Sequence, residues 1–297
     1  MQPRIGFIGL GIIGLPMAER LLDQGLPVAA WNRTPEKTKQ VVAKGAAVAH
    51  TPRDLAAGCD ILITVVSDGA ALRDVVQRAD GVAAGFASGK IHLDMSTVDV
   101  GTSSEMVVFY ASRGAHFVHA PVLGNKRHAA AGELLIFAGG PASAIEKCRP
   151  VFKALGKKTW TWDQPQQATC IKLACNLLLG GMIELLSESL ALVSKTGADP
   201  RTLIEILGMS ALGAPMFQAK GSLMAEHNFA TSFYLRHMLK DLGLAADAGA
   251  QLGQDLPATR AIRDIYGAAA NAGYADRDYS SVLEWLEKGR SQEVMRS

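Results

Sequence analysis

The chain is poor in the features that mark a metal centre, a disulfide scaffold, a nucleic-acid binder or a membrane protein. Its 297 residues include four cysteines, Cys59, Cys148, Cys170 and Cys175. None stands in a CxxC pair or beside histidines at ligand spacing, so neither zinc nor a disulfide framework is expected, and each thiol is expected reduced and buried. Charge of one sign is also scarce. With 30 Lys and Arg against 28 Asp and Glu, the net charge is +2, and no long block of one sign occurs. That is too little to make nucleic acid or an anionic bilayer the main partner. Uninterrupted apolar runs such as "DILITVV" and "NLLLGGMI" fall well short of the roughly 20 residues that span a bilayer, and no membrane segment is expected. The opening "MQPRIGFIGLG" passes into a strand-like run without the basic and apolar regions of a secretory signal, which points to a cytoplasmic protein.

What is present suits one large or two medium globular domains: 48% of residues are hydrophobic and 20% charged. Up to about residue 162, short β-rich runs ("RIGFIG", "PVAAW", "DILITVV", "KIHLD", "HFVHAP", "LLIFAGG") alternate with helical patterns, the signature of βαβ units on a mostly parallel sheet. From about residue 165 the β runs stop and long helical patterns take over. Pro165 and the polar "WDQPQQAT" mark the start of a helix that runs to about Lys195, where "TGADP" stops it. The expected domains are therefore 1–164 and 165–297. No internal repeat or low-complexity segment is seen.

"IGFIGLGIIGLPMAERLLDQG" places Gly9, Gly11 and Gly14 in GxGxxG register, after a strand and at the opening of an amphipathic helix. In that setting the first glycine permits the tight turn, the second lets backbone approach a pyrophosphate, and the third lets helix and strand pack closely. The helix N-terminus then offers free N–H groups to the anion. The intervening Ile12 and Ile13 belong to the same loop. About twenty residues on, where an NAD-binding fold usually places an acid to grip the ribose hydroxyls, the chain reads "WNRTPEK". Asn32 is neutral, Arg33 can pair with a 2′-phosphate, and Thr34 can donate a hydrogen bond to it. This favours NADP(H).

Four further segments follow in order: "LDMSTVDVGTSSEM", "HAPVLGNKRHAAAGELLIFAGG", "IKLACNLLLGG" and "LKDLGLA". With the glycine turn they make the whole chain resemble the β-hydroxyacid dehydrogenase family, which includes 3-hydroxyisobutyrate dehydrogenases and tartronate semialdehyde reductases. The run Gly124, Asn125, Lys126, Arg127 followed by "AAAGEL" is most similar to the glyoxylate/succinic semialdehyde reductase branch. The resemblance implies a Rossmann-type N-terminal domain with a mostly parallel sheet, a long interdomain helix, and an all-α C-terminal domain, assembled as a homodimer or homotetramer. It implies that Val66, Ser67 and Thr97 line the nicotinamide side of an NADPH cofactor, and that Lys240 lies against that cofactor. Ser96, Leu123, Gly124, Asn125 and Asp241 are implied on the substrate side.

Lys172 and Asn176 interrupt the apolar pattern of the long helix four residues apart, so they share one face. Hydride reduction of a carbonyl develops negative charge on oxygen, and a lysine ammonium can stabilise that charge and then supply the proton. An amide on the same face can hold the substrate oxygen or a carboxylate. The family motif assigns these roles to these two positions. Gly180 and Gly181 fit either close helix packing or the approach of a cofactor.

Two departures stand out. Where family members usually read "APVSG", this chain has "APVLG", and Leu123 cannot donate to a substrate carboxylate. Backbone N–H groups at Gly124 and Asn125, with Lys126 and Arg127 nearby, remain as anion donors, while the leucine favours a bulkier or less charged carbonyl, or an imine. His119 stands where an acid is common and reads as a core-edge histidine. Imine reductases share the architecture but usually replace the lysine. Non-catalytic chromatin-associated relatives lack it, so Lys172 favours an enzyme acting on a small carbonyl or hydroxyacid.

Overall fold

The computed structural model describes residues 2–293. Nine strands form one sheet: β1 (Ile5–Ile8), β2 (Val28–Trp31), β3 (Ala47–Val48), β4 (Ile61–Thr64), β5 (Ile91–Asp94), β6 (His116–His119), β7 (Val122–Leu123), β8 (Leu134–Gly139) and β9 (Gly156–Trp162). Strands β3-β2-β1-β4-β5-β6 lie side by side in that order and all run parallel. This is the doubly wound order of dinucleotide-binding sheets. β8 then runs antiparallel to β6 and β7 and parallel to β9.

The six strands read from the sequence are present, and three others were missed. β3 and β7 have two residues each, too few to leave a pattern. "GKKTWTW" of β9 mixes lysines and tryptophans at the sheet edge, where alternation is not enforced.

Helices α1 (Gly14–Asp23), α2 to α5 (Lys39–Ala43, Pro52–Gly58, Gly69–Gln77, Val82–Gly85), α6 (Val100–Ala111), α7 (Lys126–Ala131), α8 (Ala142–Lys147) and α9 (Arg149–Leu155) accompany the sheet. Successive residues of the buried strands point to opposite faces. Phe7, Ile63 and Leu93 enter one core with Met17 and Leu21 of α1, whereas Ile8, Leu62 and Phe117 enter another with Leu72, Met106 and Tyr110. Continuous burial on both faces explains why these strands read as unbroken apolar runs.

Helix α10 (Pro165–Lys195) has the bounds expected from sequence. Proline opens it, as it opens α11 (Pro200–Met209), α12 (Pro215–Ala225) and α14 (Pro257–Ala269). At N1 the missing N–H costs nothing and φ is already helical. With α13 (Leu235–Gln251) and α15 (Val282–Glu293) these build the helical half, whose core includes Ile183, Leu186, Leu190, Met238, Leu242, Tyr266 and Val282.

The chain divides into compact units after Lys172 rather than after residue 164. The first turns of α10 belong to the sheet unit because they are tied to α6: Gln166 Nε2 donates to Ser104 Oγ at 2.9 Å, and the hydroxyls of Thr169 and Ser103 lie 3.3 Å apart. By length and composition alone α10 would suffice to cross a membrane, with a mean hydropathy of 1.6 in its most apolar window. A search for uninterrupted apolar runs passes it over, because Lys172, Asn176 and Glu184 punctuate it. Those three side chains are on the buried side. Cys59 and Cys148 are buried, Cys170 and Cys175 half-buried, and all four thiols are free.

Candidate active site

In the sheet unit, the turn after β1 is built by glycines with separable duties. Gly9 has φ +101°, and a Cβ there would stand 2.0 Å from the Val65 carbonyl oxygen; a Cβ on Gly14 would stand 1.9 Å from the Gly9 oxygen. Both positions require glycine for the turn itself. A Cβ on Gly11, by contrast, would meet nothing within 4 Å, so the open side of its backbone leaves room for a ligand. Half-buried Ile12 and Ile13 complete the loop, and α1 starts without a side-chain cap, so the N–H groups of the loop and of Gly14 at the helix start are not taken by a capping side chain. The turn therefore fits a dinucleotide pyrophosphate.

At the end of β2, the Asn32 side chain is already engaged. Its Oδ1 accepts from the Leu10 N–H at 2.9 Å and its Nδ2 donates to the Thr34 carbonyl at 2.8 Å. Asn32 thus fastens the glycine turn to the β2 loop, a positioning duty within the region read as cofactor-binding. Arg33 and Thr34 beyond it are exposed, with no carboxylate at the position that would grip a 2′-hydroxyl.

The loops after β4 and β5 are joined to each other. The Val66 N–H donates to Ser96 Oγ at 2.9 Å, and Ser96 Oγ donates to Asp94 Oδ1 at 2.7 Å. Ser96 is 2% exposed, and its hydroxyl is engaged in both of these bonds, which tie the β4 and β5 loops together. Ser67 is exposed and donates to Asp68 Oδ2, and Thr97 is half-buried. These are the loops that a sheet with this strand order presents to its ligand.

Leu123 ends β7 opposite Leu135 and is half-buried. Gly124 follows at φ +150°, where a Cβ would press on Leu134 and His128. Asn125 caps α7: its Oδ1 accepts from the N–H groups of Arg127 and His128, while its own N–H donates to His128 Nδ1 at 3.2 Å. This capping box uses the Asn125 amide that the sequence reading offered to a carboxylate. Lys126 and Arg127 are exposed.

In the helical unit, Asn176 Nδ2 donates to Asp241 Oδ2 at 2.5 Å, and Lys240 Nζ stands 2.9 Å from Asp241 Oδ1. Asp241, 2% exposed, therefore orients two other expected site residues. Gly180 makes this possible: a Cβ there would lie 2.8 Å from Met238 Sδ, so the missing side chain lets α10 and α13 approach closely. Lys172, one turn before Asn176 and 7% exposed, shares its face. Among the described residues no group of His, Cys, Asp or Glu is arranged to hold a metal.

Three comparisons agree with this geometry. Residues 4–170 match the profile of the NAD binding domain of 6-phosphogluconate dehydrogenase, and residues 167–286 that of the NAD-binding domain of NADP-dependent 3-hydroxyisobutyrate dehydrogenase. The chain is 35% identical to glyoxylate/succinic semialdehyde reductase 1 of Arabidopsis thaliana over 96% of its own length and 99% of that protein's. It is 35% identical to the cytokine-like nuclear factor N-PAC of Homo sapiens over 94% of its length, which spans 50% of that longer protein. Among solved structures, 3-hydroxyisobutyrate dehydrogenase from Salmonella typhimurium superposes with a TM-score of 0.87 at 27% identity, covering 95% of this chain and 99% of the other. The chain belongs to the β-hydroxyacid dehydrogenase family of NAD(P)-dependent oxidoreductases, the family of 3-hydroxyisobutyrate dehydrogenase and glyoxylate/succinic semialdehyde reductase.

Proposed function

We propose that the protein is an NADPH-dependent reductase of an aldehyde or keto acid, working reversibly as a hydroxyacid dehydrogenase. The observation that carries this reading is the pair Lys172 and Asn176, buried one turn apart on α10, with Asn176 held by Asp241. Backbone N–H groups of Gly11, Ile12 and Ile13 would hold the pyrophosphate, Arg33 and Thr34 the 2′-phosphate, and Val66, Ser67, Thr97 and Lys240 the nicotinamide side. Held by these residues, a bound NADPH would supply the hydride for the carbonyl carbon. As that carbon gains its hydrogen, the π pair moves onto oxygen, and Lys172 Nζ first donates a hydrogen bond to the oxygen and then gives it the proton. Loss of that proton leaves a neutral amine, which solvent reprotonates; in the oxidative direction the amine takes the hydroxyl proton. Asn176 fixes the angle at which the oxygen meets Nζ, because its own amide is held by Asp241.

The substrate class is taken from the relatives' names, against the preference of Leu123 for a bulkier or less charged carbonyl. A glyoxylate- or succinic semialdehyde-like aldehyde acid would place its carboxylate near Lys126 and Arg127, since Leu123 donates nothing and Asn125 is occupied with its cap. Kinetics on glyoxylate, succinic semialdehyde, 3-hydroxyisobutyrate, a neutral ketone and a cyclic imine test the reading. Lys172→Ala should lower kcat for aldehyde reduction by about 10²–10⁴-fold and leave NADPH affinity within about threefold. Undiminished turnover would refute the proton-donor role, and a neutral ketone outrunning every acid would reassign the substrate.

A homodimer or homotetramer is part of this proposal. Ile171, Leu178, Leu185 and Leu192 recur every seventh residue on α10, and all four are exposed. A seven-residue apolar spacing on a long helix is the pattern of a helix–helix seam.

A further inference from the structure

Beneath the β4 and β5 loops the sheet unit buries a chain of polar side chains. Tyr110 Oη lies 2.7 Å from His92 Nδ1, His92 Nε2 lies 2.8 Å from Thr64 Oγ1, and Thr64 Oγ1 donates to Asp94 Oδ1 at 2.6 Å. The direction of each bond is forced. A carboxylate only accepts, so Thr64 gives its single proton to Asp94 and must accept from His92 Nε2–H; His92 Nδ1 is then the acceptor for the Tyr110 hydroxyl. Burial pulls the His92 pKa down to about 4, which keeps that ring neutral as the pattern requires. Burial pushes the Asp94 carboxyl up, but the His119 bond and charge, His92 and the Thr64 hydroxyl outweigh it and hold Asp94 below its ordinary value.

On its second oxygen, Asp94 Oδ2 accepts from His119 Nδ1–H at 3.0 Å. Both side chains are wholly buried. The other nitrogen of His119, Nε2, finds no partner. A leucine of similar size would fill this space but would strand Asp94 Oδ2, so packing alone does not account for the imidazole. What the imidazole does is hold one carboxylate oxygen, which leaves the other to Thr64 and to Ser96, and Ser96 in turn holds the Val66 N–H. The chain therefore ends on the main chain of the loop assigned to the nicotinamide side.

We propose that His119 is a positioning residue for the nicotinamide end of the cofactor site, acting through Asp94 and Ser96 on the backbone of the β4 loop. The proposal rests on the dinucleotide reading above. With His119 removed, the Asp94 carboxylate is free to turn toward another donor, Ser96 follows it, and the Val66 amide loses its fixed acceptor. The adenosine half of the cofactor, held by the glycine turn and the β2 loop, is untouched by this change.

The test compares two ligands on the full-length protein: NADPH, and 2′-phosphoadenosine 5′-diphosphoribose, which has the same adenosine half without the nicotinamide ring. His119→Leu is expected to weaken NADPH about tenfold, the equivalent of one charged hydrogen bond, while binding of the ring-less ligand changes less than about twofold. His119→Asn, whose Nδ2 can replace the Nδ1 donor, is expected to recover most of the loss. Ser96→Ala breaks the same chain one link further on and should reproduce the selective loss, which keeps the test open if the leucine variant does not fold. Equal weakening of both ligands, no weakening of either, or asparagine no better than leucine would overturn the proposal. A wild type that binds neither ligand would instead refute the cofactor reading and this proposal with it.

Discussion

On the function proposed above, Arg33 is the residue on which cofactor choice turns. It is exposed beyond the end of β2, beside an asparagine whose polar atoms are committed to the Leu10 N–H and the Thr34 carbonyl. Placing a carboxylate there reverses the local charge, repels a 2′-phosphate and offers an acceptor to ribose hydroxyls. Arg33→Glu is therefore expected to lower kcat/KM for NADPH by about 10–100-fold and to improve the NADH:NADPH ratio; steady-state kinetics with both dinucleotides decide it. An unchanged ratio would remove Arg33 from the 2′-phosphate site. At this scale the sequence is informative where a residue acts through its own backbone or through neighbours on its own helix. Gly9, Gly14, Lys172 and Asn176 are of that kind. It is mute where duty depends on partners far along the chain. Ser96 faces inward because Val66 and Asp94 claim it, and nothing in "DMST" announces a donor thirty residues upstream. Asn125 is different: its amide is taken by His128 only three residues on, in a capping box with histidine where Glu or Gln is usual. Asp241, read only as a lining acid, turns out to orient Asn176.

At the scale of elements, α10 was legible from end to end, since proline starts it and "TGADP" stops it, yet one of its charges went unremarked. Glu184 is 2% exposed, and burial first, then Glu188 one turn on, push its carboxyl up to about 7. A carboxyl with a raised folded-state pKa is protonated in the fold while the unfolded chain would ionise it. Its contribution to stability is whole below about pH 4.5 and is lost as pH rises through about 7. Glu184→Gln removes that dependence. Thermal melts should show the variant gaining on wild type by about 3 °C or more at pH 8 and much less at pH 5; an equal difference at both pH values would show that Glu184 does not titrate in this range. The missed strands have a plain cause. β7 is held only by its register against β8, and β9 is an edge strand, so neither had to carry an alternating pattern.

For the whole molecule, the outward side of α10 raises the question of what covers it. Leu178, Leu185 and Leu192 are 62%, 60% and 71% exposed, and Ile206, Met209 and Leu212 add further apolar surface on and just after α11. Exposed apolar side chains of this kind suit the association proposed above. A double variant Leu178→Glu, Leu185→Glu places charge in the proposed seam without touching the buried face, and is expected to convert the proposed oligomer to monomer in light scattering while retaining helical circular dichroism. Unchanged mass would show that the seam is not the contact. Which face the proposed oligomer would use emerges only when burial separates the two sides of one apolar helix.

The glycine turn carries a final consequence. Gly9 and Gly14 are demanded by the turn's own atoms, whereas a Cβ on Gly11 would meet nothing. A descendant of this chain that kept the fold but abandoned its cofactor would still be obliged to keep the first and third glycines. Only the second would be released to drift. A side chain at position 11 is therefore the mark by which a retired member of such a lineage could be told from a working one.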